Sequence, residues 1–323
     1  MEEPAEMTKY LGCHHRFKVQ GVAPNRITDV HYDMSEYFIS AVKIYTETTG
    51  LTLKKVDSPY VPTIPSDQLE KLLQSPGALT ISAASYLMKL MFGARMAHPL
   101  ICVAIQRLAR YVTKWTAECD RRLHRLYCFL SSYPDWILGA KVSECKNIKN
   151  LRIDVWPDSD LNGDIMCSKS TSGFFLELTT TDEDNPENPS GSPLSWGVKK
   201  QPATSSHTQE AETVSLSGAL RHEAIPCQIL LDACFKVTVP IRIHEDNTAC
   251  IAACEKGYSP TMRYLLRTQR CALGFIHDCL EEPSLLITIM HQKTATQKGD
   301  AFTKELNAAD FWKAMSLLKY VKR

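Results

Sequence analysis

The chain has 323 residues, of which 44% are hydrophobic and 23% are charged, and its formal net charge is +1. This length allows two domains with a sizeable core, and the composition is that of an ordinary globular protein. A net charge so close to zero indicates no particular class of binding partner.

Three further features argue against a secreted or membrane protein. The twelve cysteines form no C-x-x-C pair and no cysteine/histidine run with zinc spacing, which favours a reduced intracellular compartment. The first residues, MEEPAEMTKY, are acidic and polar, unlike a signal peptide. The most apolar region, residues 78–105, is interrupted by Lys89, Arg95 and His98, so it is a poor membrane span.

The first half of the chain is predicted to be mostly helical. Residues 1–60 mix short β-like runs with one helix over 34–49, and the three prolines of VDSPYVPTIPSDQ indicate a linker or an extended strap. Residues 66–131 then read as four helices, LEKLLQ, SYLMKLMFGARM, LICVAIQRLARYV and ECDRRLHRLYCFLSS. Residues 66–150 contain 12 Lys/Arg against 6 Asp/Glu, a local net charge of +6.

After about residue 150 the pattern changes to alternating strands and helices. Five strands are predicted, at LRIDVW, SGFFLEL, PLSWGV, VPIRIHE and SLLITIM. Helices are predicted over 209–233, 248–256 and 262–280, and a short one near Gly299. This order predicts an α/β fold with a mixed sheet flanked by helices. The segment TTTDEDNPENPSGSP, with four acids and no apolar residues to bury, is predicted to be a solvated loop.

Four acids lie at strand ends and helix starts in this order of elements. Asp158 follows the first strand, Glu212 lies in the first turns of the long helix, Asp246 follows VPIRIHE, and Asp300 opens the last helix. Such positions can converge at one edge of a sheet, where clustered carboxylates are costly unless cations neutralise them. Hard oxygen ligands suit Mg²⁺ or Mn²⁺, and a pair of ions about 3.5–4 Å apart serves phosphodiester hydrolysis.

Each acid taken alone has an ordinary structural interpretation. Asp158 fits a turn after a strand, and Glu212 fits a solvated acid at a helix start beneath a Ser or Thr N-cap. Asp246 and Asp300 both fit helix caps. The order and spacing of the four, and the sequence around them, are therefore what favours a metal site.

Six short sequences in order carry a family resemblance. They are DSDLNGD, STSGFFLEL, PLSWGVKKQP, SSHTQEAETVSLS, HEDNTACIAA and GDAFTKEL, spread over about 150 residues. Together they resemble the ribonuclease H domain of copia-type retrotransposon Pol polyproteins. Upstream, YLGCHHRF resembles the end of the reverse transcriptase palm, and ARMAHPLICVAIQRLARYVTKWTAECDRRLHRLYCFL resembles the region from thumb to connection.

The resemblance implies three segments. Residues 1–60 would be a remnant of the palm edge and thumb start, 61–149 a helical thumb/connection region, and 150–323 a ribonuclease H-like domain with a five-stranded mixed sheet. The palm's YxDD-type polymerase motif is absent from the sequence, so no DNA synthesis is expected. The implied activity is metal-dependent cleavage of the RNA strand of an RNA–DNA hybrid, in a virus-like particle in the cytoplasm or in the nucleus.

The resemblance also implies the site residues. Asp158, Glu212, Asp246 and Asp300 would be the catalytic acids and ligands of two Mg²⁺ or Mn²⁺ ions, while Glu210 would support the helix start. His291 would aid product release, or is an ordinary surface histidine. Residues expected to contact nucleic-acid phosphates, or else to be solvated, are Lys199, Lys200, Arg107, Arg110, Lys114, Arg121 and Arg122.

Some departures from the family pattern leave other functions open. Thr213 stands where the family has an aromatic residue, and Trp156-Pro157 precedes the first catalytic acid. The alternatives are an inactive transposon relic that binds nucleic acid, a nuclease of the same fold acting on DNA, and a structural subunit. The subunit would pair with a palm-bearing chain or form a homodimer, and an exposed apolar patch on residues 1–60 would support that role.

Overall fold

The computed structural model describes residues 7–23, 26–143, 148–164, 167–180 and 190–323. The acidic part of the predicted solvated loop, with Asp182, Glu183, Asp184 and Glu187, lies outside these residues. Within them, no helix is both long and apolar enough to cross a membrane. The fold is mixed α/β, with ten strands in the described ranges.

The chain divides into two compact units. The first comprises Met1–Phe17, Val30–Gly139 and Glu305–Arg323, and the second comprises Lys18–Asp29 and Ala140–Lys304. The last 19 residues therefore group with the first unit, whereas the family resemblance assigned them to the segment 150–323.

The elements up to residue 143 are mainly helices, as predicted. In chain order they are β1 (Lys9–Tyr10), β2 (Cys13–Gln20), β3 (Ile27–Asp33), α1 (Ser35–Thr49), α2 (Ser66–Gln74), α3 (Ala83–Ala97), α4 (Cys102–Ala109), α5 (Ala117–Ser132) and β4 (Trp136–Ser143). The proline-rich segment between α1 and α2 contains no helix or strand, as expected. Strand β4 was not predicted.

The core of the first unit is built on an amphipathic α5. Leu123, Leu126, Tyr127 and Leu130 recur at helical spacing, and all four are buried, as predicted. The Tyr127 ring stacks on Tyr45 of α1 at 3.9 Å between centroids. This aromatic contact joins two helices far apart in sequence.

The second half contains strands and helices in alternation, as predicted. The elements are β5 (Leu151–Asp160), β6 (Thr171–Thr180), β7 (Gly191–Lys200), α6 (Thr208–Ala219), α7 (Ile225–Phe235), β8 (Ile241–Glu245), α8 (Thr248–Lys256), α9 (Leu265–Thr268), α10 (Leu273–Glu281), β9 (Ile287–His291), α11 (Ala308–Leu317) and β10 (Tyr320–Lys322). A π-helical segment, Leu220–Ala224, joins α6 directly to α7.

The second unit contains a mixed sheet with the strand order β7-β6-β5-β8-β9. Strands β5, β6 and β7 pair antiparallel, whereas β5 with β8 and β8 with β9 are parallel. The sheet continues past β7, because Lys141 of β4 pairs with Gly191. The mixed sheet is therefore confirmed, but it is not limited to the five predicted strands.

Alternation along β5 separates two environments. Ile153 and Val155 belong to the apolar core on one face of the sheet, together with Leu216 of α6. Asp154 and Asp158 occupy even-numbered positions of the strand, so their side chains lie on the other face, and both are also buried. Strand β5 thus places an acid close to its carboxyl end while its alternate residues anchor the core.

Two predicted helices differ from the structure. The single helix expected over 262–280 is divided into α9 and α10, because Arg270 adopts a left-handed conformation with φ of 54° that no helix accommodates. Asp300 does not open an α-helix either. It lies in the 3₁₀ segment Lys298–Phe302, and the final helix α11 begins eight residues later.

Candidate metal centre

Three of the four predicted acids come together in the second unit. Asp158, Glu212 and Asp246 each offer a carboxylate oxygen, and these atoms lie within 4.8 Å of one another. Asp158 comes from β5, Glu212 from the start of α6, and Asp246 from the residue after β8. Asp158 and Glu212 are buried, whereas Asp246 is partly exposed.

The cap interpretations of these acids are not what the structure shows. The N-cap of α8 is Asn247, whose Oδ1 accepts from the backbone N–H of Cys250 at 3.0 Å, so Asp246 is left free of that role. The N-cap of α6 is His207, not the expected Ser or Thr, and its Nδ1 accepts from the N–H of Glu210. Capping therefore does not account for either Asp246 or Glu212.

Glu210 and Glu212 have different roles although both are buried. The Glu210 carboxylate accepts from the backbone N–H of Ser206 at 2.8 Å and from the hydroxyl of Tyr264 at 2.8 Å. It thereby stabilises the start of α6. Glu212 Oε2 has no hydrogen-bond partner among the described residues. An unpartnered buried carboxylate oxygen directed into a cluster of acids fits a cation ligand.

Burial and neighbouring charge raise the pKa of Glu212 and of Asp158. Burial, with the nearby charge of Asp158, raises the pKa of Glu212 well above its ordinary range. Burial likewise raises the pKa of Asp158, and the Lys304 ammonium partly opposes this. Two such acids in one site either hold protons or share cations. The donor set consists of hard oxygen atoms, which fits Mg²⁺ or Mn²⁺.

Asp300 is connected to the cluster through Lys304. The Lys304 ammonium contacts the Asp300 carboxylate one helical turn before it and lies 3.8 Å from Asp158 Oδ2. Within the described ranges, the group of mutually close ligand atoms does not include Asp300. The role of Asp300 as a metal ligand stays a prediction.

Three further residues at the site were not singled out from the sequence. Thr303 donates to the Asp158 carboxylate, and Lys304 partly neutralises it. Glu245 is fully buried, and among the described residues its Oε2 has no hydrogen-bond partner. Burial raises its pKa, as do Cys250 and Asp246. Thr303 and Lys304 follow Asp300 in GDAFTKEL, and Glu245 directly precedes Asp246. Their closeness in sequence to the predicted acids is the feature that could have identified them.

His291 and the two predicted lysines lie at the carboxyl ends of their strands, as Asp158 does. His291 is the last residue of β9, is exposed, and pairs in register with Glu245. Lys199 of β7 pairs with Ser172 of β6, which in turn pairs with Ser159 of β5. At the usual spacing between strands, Lys199 is thus about 10 Å from the strand end that carries Asp158.

Lys199 and Lys200 also line a cavity of about 270 Å³. Arg221, from the π-helical segment, and Arg270, from the break between α9 and α10, contribute two further basic side chains to its walls. Among the described residues that line it, Glu223 is the one acid. Neither arginine was predicted to lie beside the lysines, and 71 residues separate Lys199 from Arg270.

The predicted basic residues of the first unit are largely engaged in internal contacts. Glu118 is fully buried and binds both Arg121 and Arg122 through short ion pairs. Glu305 binds Arg122 and Arg107, each at 2.7 Å.

Two further residues, Arg110 and Lys114, complete the predicted basic set of that region. Arg110 donates to Gln106 at 3.0 Å, and Lys114 is exposed in a 3₁₀ turn. Contact of these five residues with nucleic acid stays a prediction.

No protein-family model matches the chain.

Proposed function

We propose that the chain is a metal-dependent ribonuclease H that hydrolyses the RNA strand of RNA–DNA hybrids. It would be part of a copia-type retrotransposon polyprotein that lacks the polymerase active site. The observation that carries the proposal is the meeting of Asp158, Glu212 and Asp246, from three separate elements, within 4.8 Å. The mixed sheet, with the three acids at the ends of its elements, supports the proposal.

The residues around the cleavage site would have different roles in the reaction. Bound Mg²⁺ or Mn²⁺ ions would activate a water and stabilise the leaving oxygen of the phosphodiester. Asp158 is oriented by the Thr303 hydroxyl, so its carboxylate would be held in place for the metal. Asp246 accepts from the Thr294 hydroxyl at 3.0 Å and is partly exposed, so a substrate phosphate would approach the metal beside it. The 2′-hydroxyl would distinguish RNA from DNA.

The basic cavity near β7 would hold the backbone of the hybrid. Four cationic side chains facing one acid favour phosphate groups. Substituting Lys199 and Lys200 by alanine is expected to weaken hybrid binding and to reduce the slope of log K against log salt by about one to two. Fluorescence anisotropy between 50 and 300 mM KCl measures the slope, and an unchanged slope would refute this backbone contact.

The test of the activity is cleavage of a labelled RNA–DNA hybrid in Mg²⁺ or Mn²⁺. Asp246→Asn removes one ligand charge, while Asp278→Asn, an exposed acid of α10 in the same unit, is the matched control. Cutting of the RNA strand alone, lost with EDTA and in Asp246→Asn but kept in Asp278→Asn, is the expected result. Equal cutting of double-stranded DNA would favour the DNA nuclease. No cutting by a folded, hybrid-binding chain would favour the relic.

A second role, as a subunit that joins a palm-bearing chain, is favoured by apolar side chains near the N-terminus. Tyr10, Leu11 and Ile39 of the first unit are each more than half exposed, at 54%, 56% and 51%. Exposed apolar groups of this size mark interaction surfaces when they are contiguous. Co-elution of this chain with a separately expressed palm chain, lost in a Tyr10→Ser/Leu11→Ser variant, tests this role. A homodimer seen by light scattering is the other outcome.

A further inference from the structure

A proline interrupts the backbone hydrogen bonds next to the candidate metal centre. In the parallel pair β5–β8, the N–H of Ile153 donates to Pro240 O at 2.8 Å. Because parallel ladders repeat every two residues, the donor two steps later is residue 157 and its acceptor is His244 O. Residue 157 is a proline and has no N–H. The ladder therefore loses a bond just before Asp158 on one strand and Asp246 on the other.

The side chain of Gln297 occupies this gap. It is only 3% exposed, and its Nε2 donates to His244 O at 3.1 Å and to Pro157 O at 3.2 Å. Its Oε1 accepts from the N–H of Gly299 at 3.2 Å. Both amide protons and the carbonyl oxygen are thus used, which fixes the orientation of the carboxamide.

We infer that Gln297 is a positioning residue of the metal centre. Its carboxamide replaces the missing donor of Pro157 and holds the ends of β5 and β8 at the separation that lets Asp158 and Asp246 share a cation. The same side chain fixes the start of the 3₁₀ segment that carries Asp300. This inference rests on the proposed function, and it gives the Pro157 departure from the family pattern a structural counterpart 140 residues away.

The chain contains a matched control for this role. Gln228 of α7 is 2% exposed, and its Nε2 also bridges two carbonyls, Val239 O at 2.8 Å and Leu285 O at 2.6 Å. These carbonyls precede β8 and β9, at the opposite ends of the strands from Asp246. Gln228 therefore has the same chemistry and burial as Gln297 without access to the metal centre.

The experiment measures Mn²⁺ binding by titration calorimetry on the full chain, at a temperature where thermal unfolding shows every variant folded. Gln297→Met keeps the shape of the side chain but removes both donors, and is expected to weaken Mn²⁺ about 10- to 100-fold. Gln228→Met, with the same loss of bonds, is expected to lower the unfolding temperature and leave Mn²⁺ affinity unchanged. Unchanged affinity in Gln297→Met, or equal weakening in both variants, would overturn the positioning role.

Two further outcomes are separable. A wild-type chain that binds no Mn²⁺ would overturn the proposed metal site itself, and the positioning role with it. Gln297→Met that does not fold, where Gln228→Met folds, would make Gln297 a folding residue only. Pro157→Ala restores the missing N–H, so adding it to Gln297→Met is expected to recover part of the affinity. No recovery would show that Gln297 does not replace that donor.

Discussion

Glu212 should make the metal-free protein less stable as the pH rises. Its pKa is raised in the folded chain by burial and by Asp158, so the folded state keeps a proton that the unfolded state loses above its ordinary value of 4.5. Deprotonation then favours unfolding. Each such proton lowers the free energy of unfolding by up to about 1.4 kcal/mol per pH unit, or about 3 kcal/mol between pH 5 and 7.

The substitution Glu212→Gln removes this proton and its pH dependence. In EDTA, the variant should lose less stability than the wild type between pH 5 and 7, by up to the same 3 kcal/mol. The exposed Glu281→Gln, in α10, is the control and should keep the wild-type slope. Urea unfolding followed by circular dichroism at four pH values measures the difference. Parallel slopes for wild type and Glu212→Gln would refute the reasoning.

Three other substitutions probe packing and buried charge. Gly299→Ala would place a Cβ atom 2.7 Å from the Cβ of Asp158. A loss of about 1–3 kcal/mol in the free energy of unfolding is expected, together with weaker Mn²⁺ binding, and calorimetry that shows neither effect would contradict this. Lys298→Met removes the ammonium group that pairs with the buried Glu177 and should cost up to about 3–5 kcal/mol in urea unfolding. A neutral effect would count against a formed pair. Burial lowers the pKa of His98 from 6.5 to about 4, so the folded chain keeps the imidazole neutral and the free energy of unfolding falls as the pH drops below 6.5. His98→Gln should remove up to about 3 kcal/mol of that fall. An acid unfolding transition that is the same in the variant and the wild type would disprove this prediction.

Local periodicity accounts for what the sequence predicted well. The strands around LRIDVW and SGFFLEL were located because alternating apolar residues form one core face, and α5 because its leucines recur at helical spacing. Asp158, Glu212 and Asp246 were identified by their positions at the ends of strands and the start of a helix, and by the short sequence motifs around them. These signals are contained in a few adjacent residues.

Contacts between distant residues account for what the sequence did not predict. Nothing near Gln297 indicates that its amide bonds Pro157, and nothing near Arg122 indicates that Glu305 binds it. The division of the helix over 262–280 depends on one left-handed residue, Arg270, of a type that rarely adopts that conformation. Such features depend on tertiary context, which composition and periodicity do not contain.

The chain order of the two units has a consequence for synthesis on the ribosome. The helical unit needs Phe311 of α11, whose fully buried ring packs against Phe129 at 5.1 Å, yet residues 140–304 must be translated first. At usual elongation rates that interval is of the order of ten seconds or more. All strands of the second unit are thus synthesised before the last helix of the first unit. We expect the nascent helices to expose the Phe129 surface during this interval and to be the part of the chain that chaperones protect.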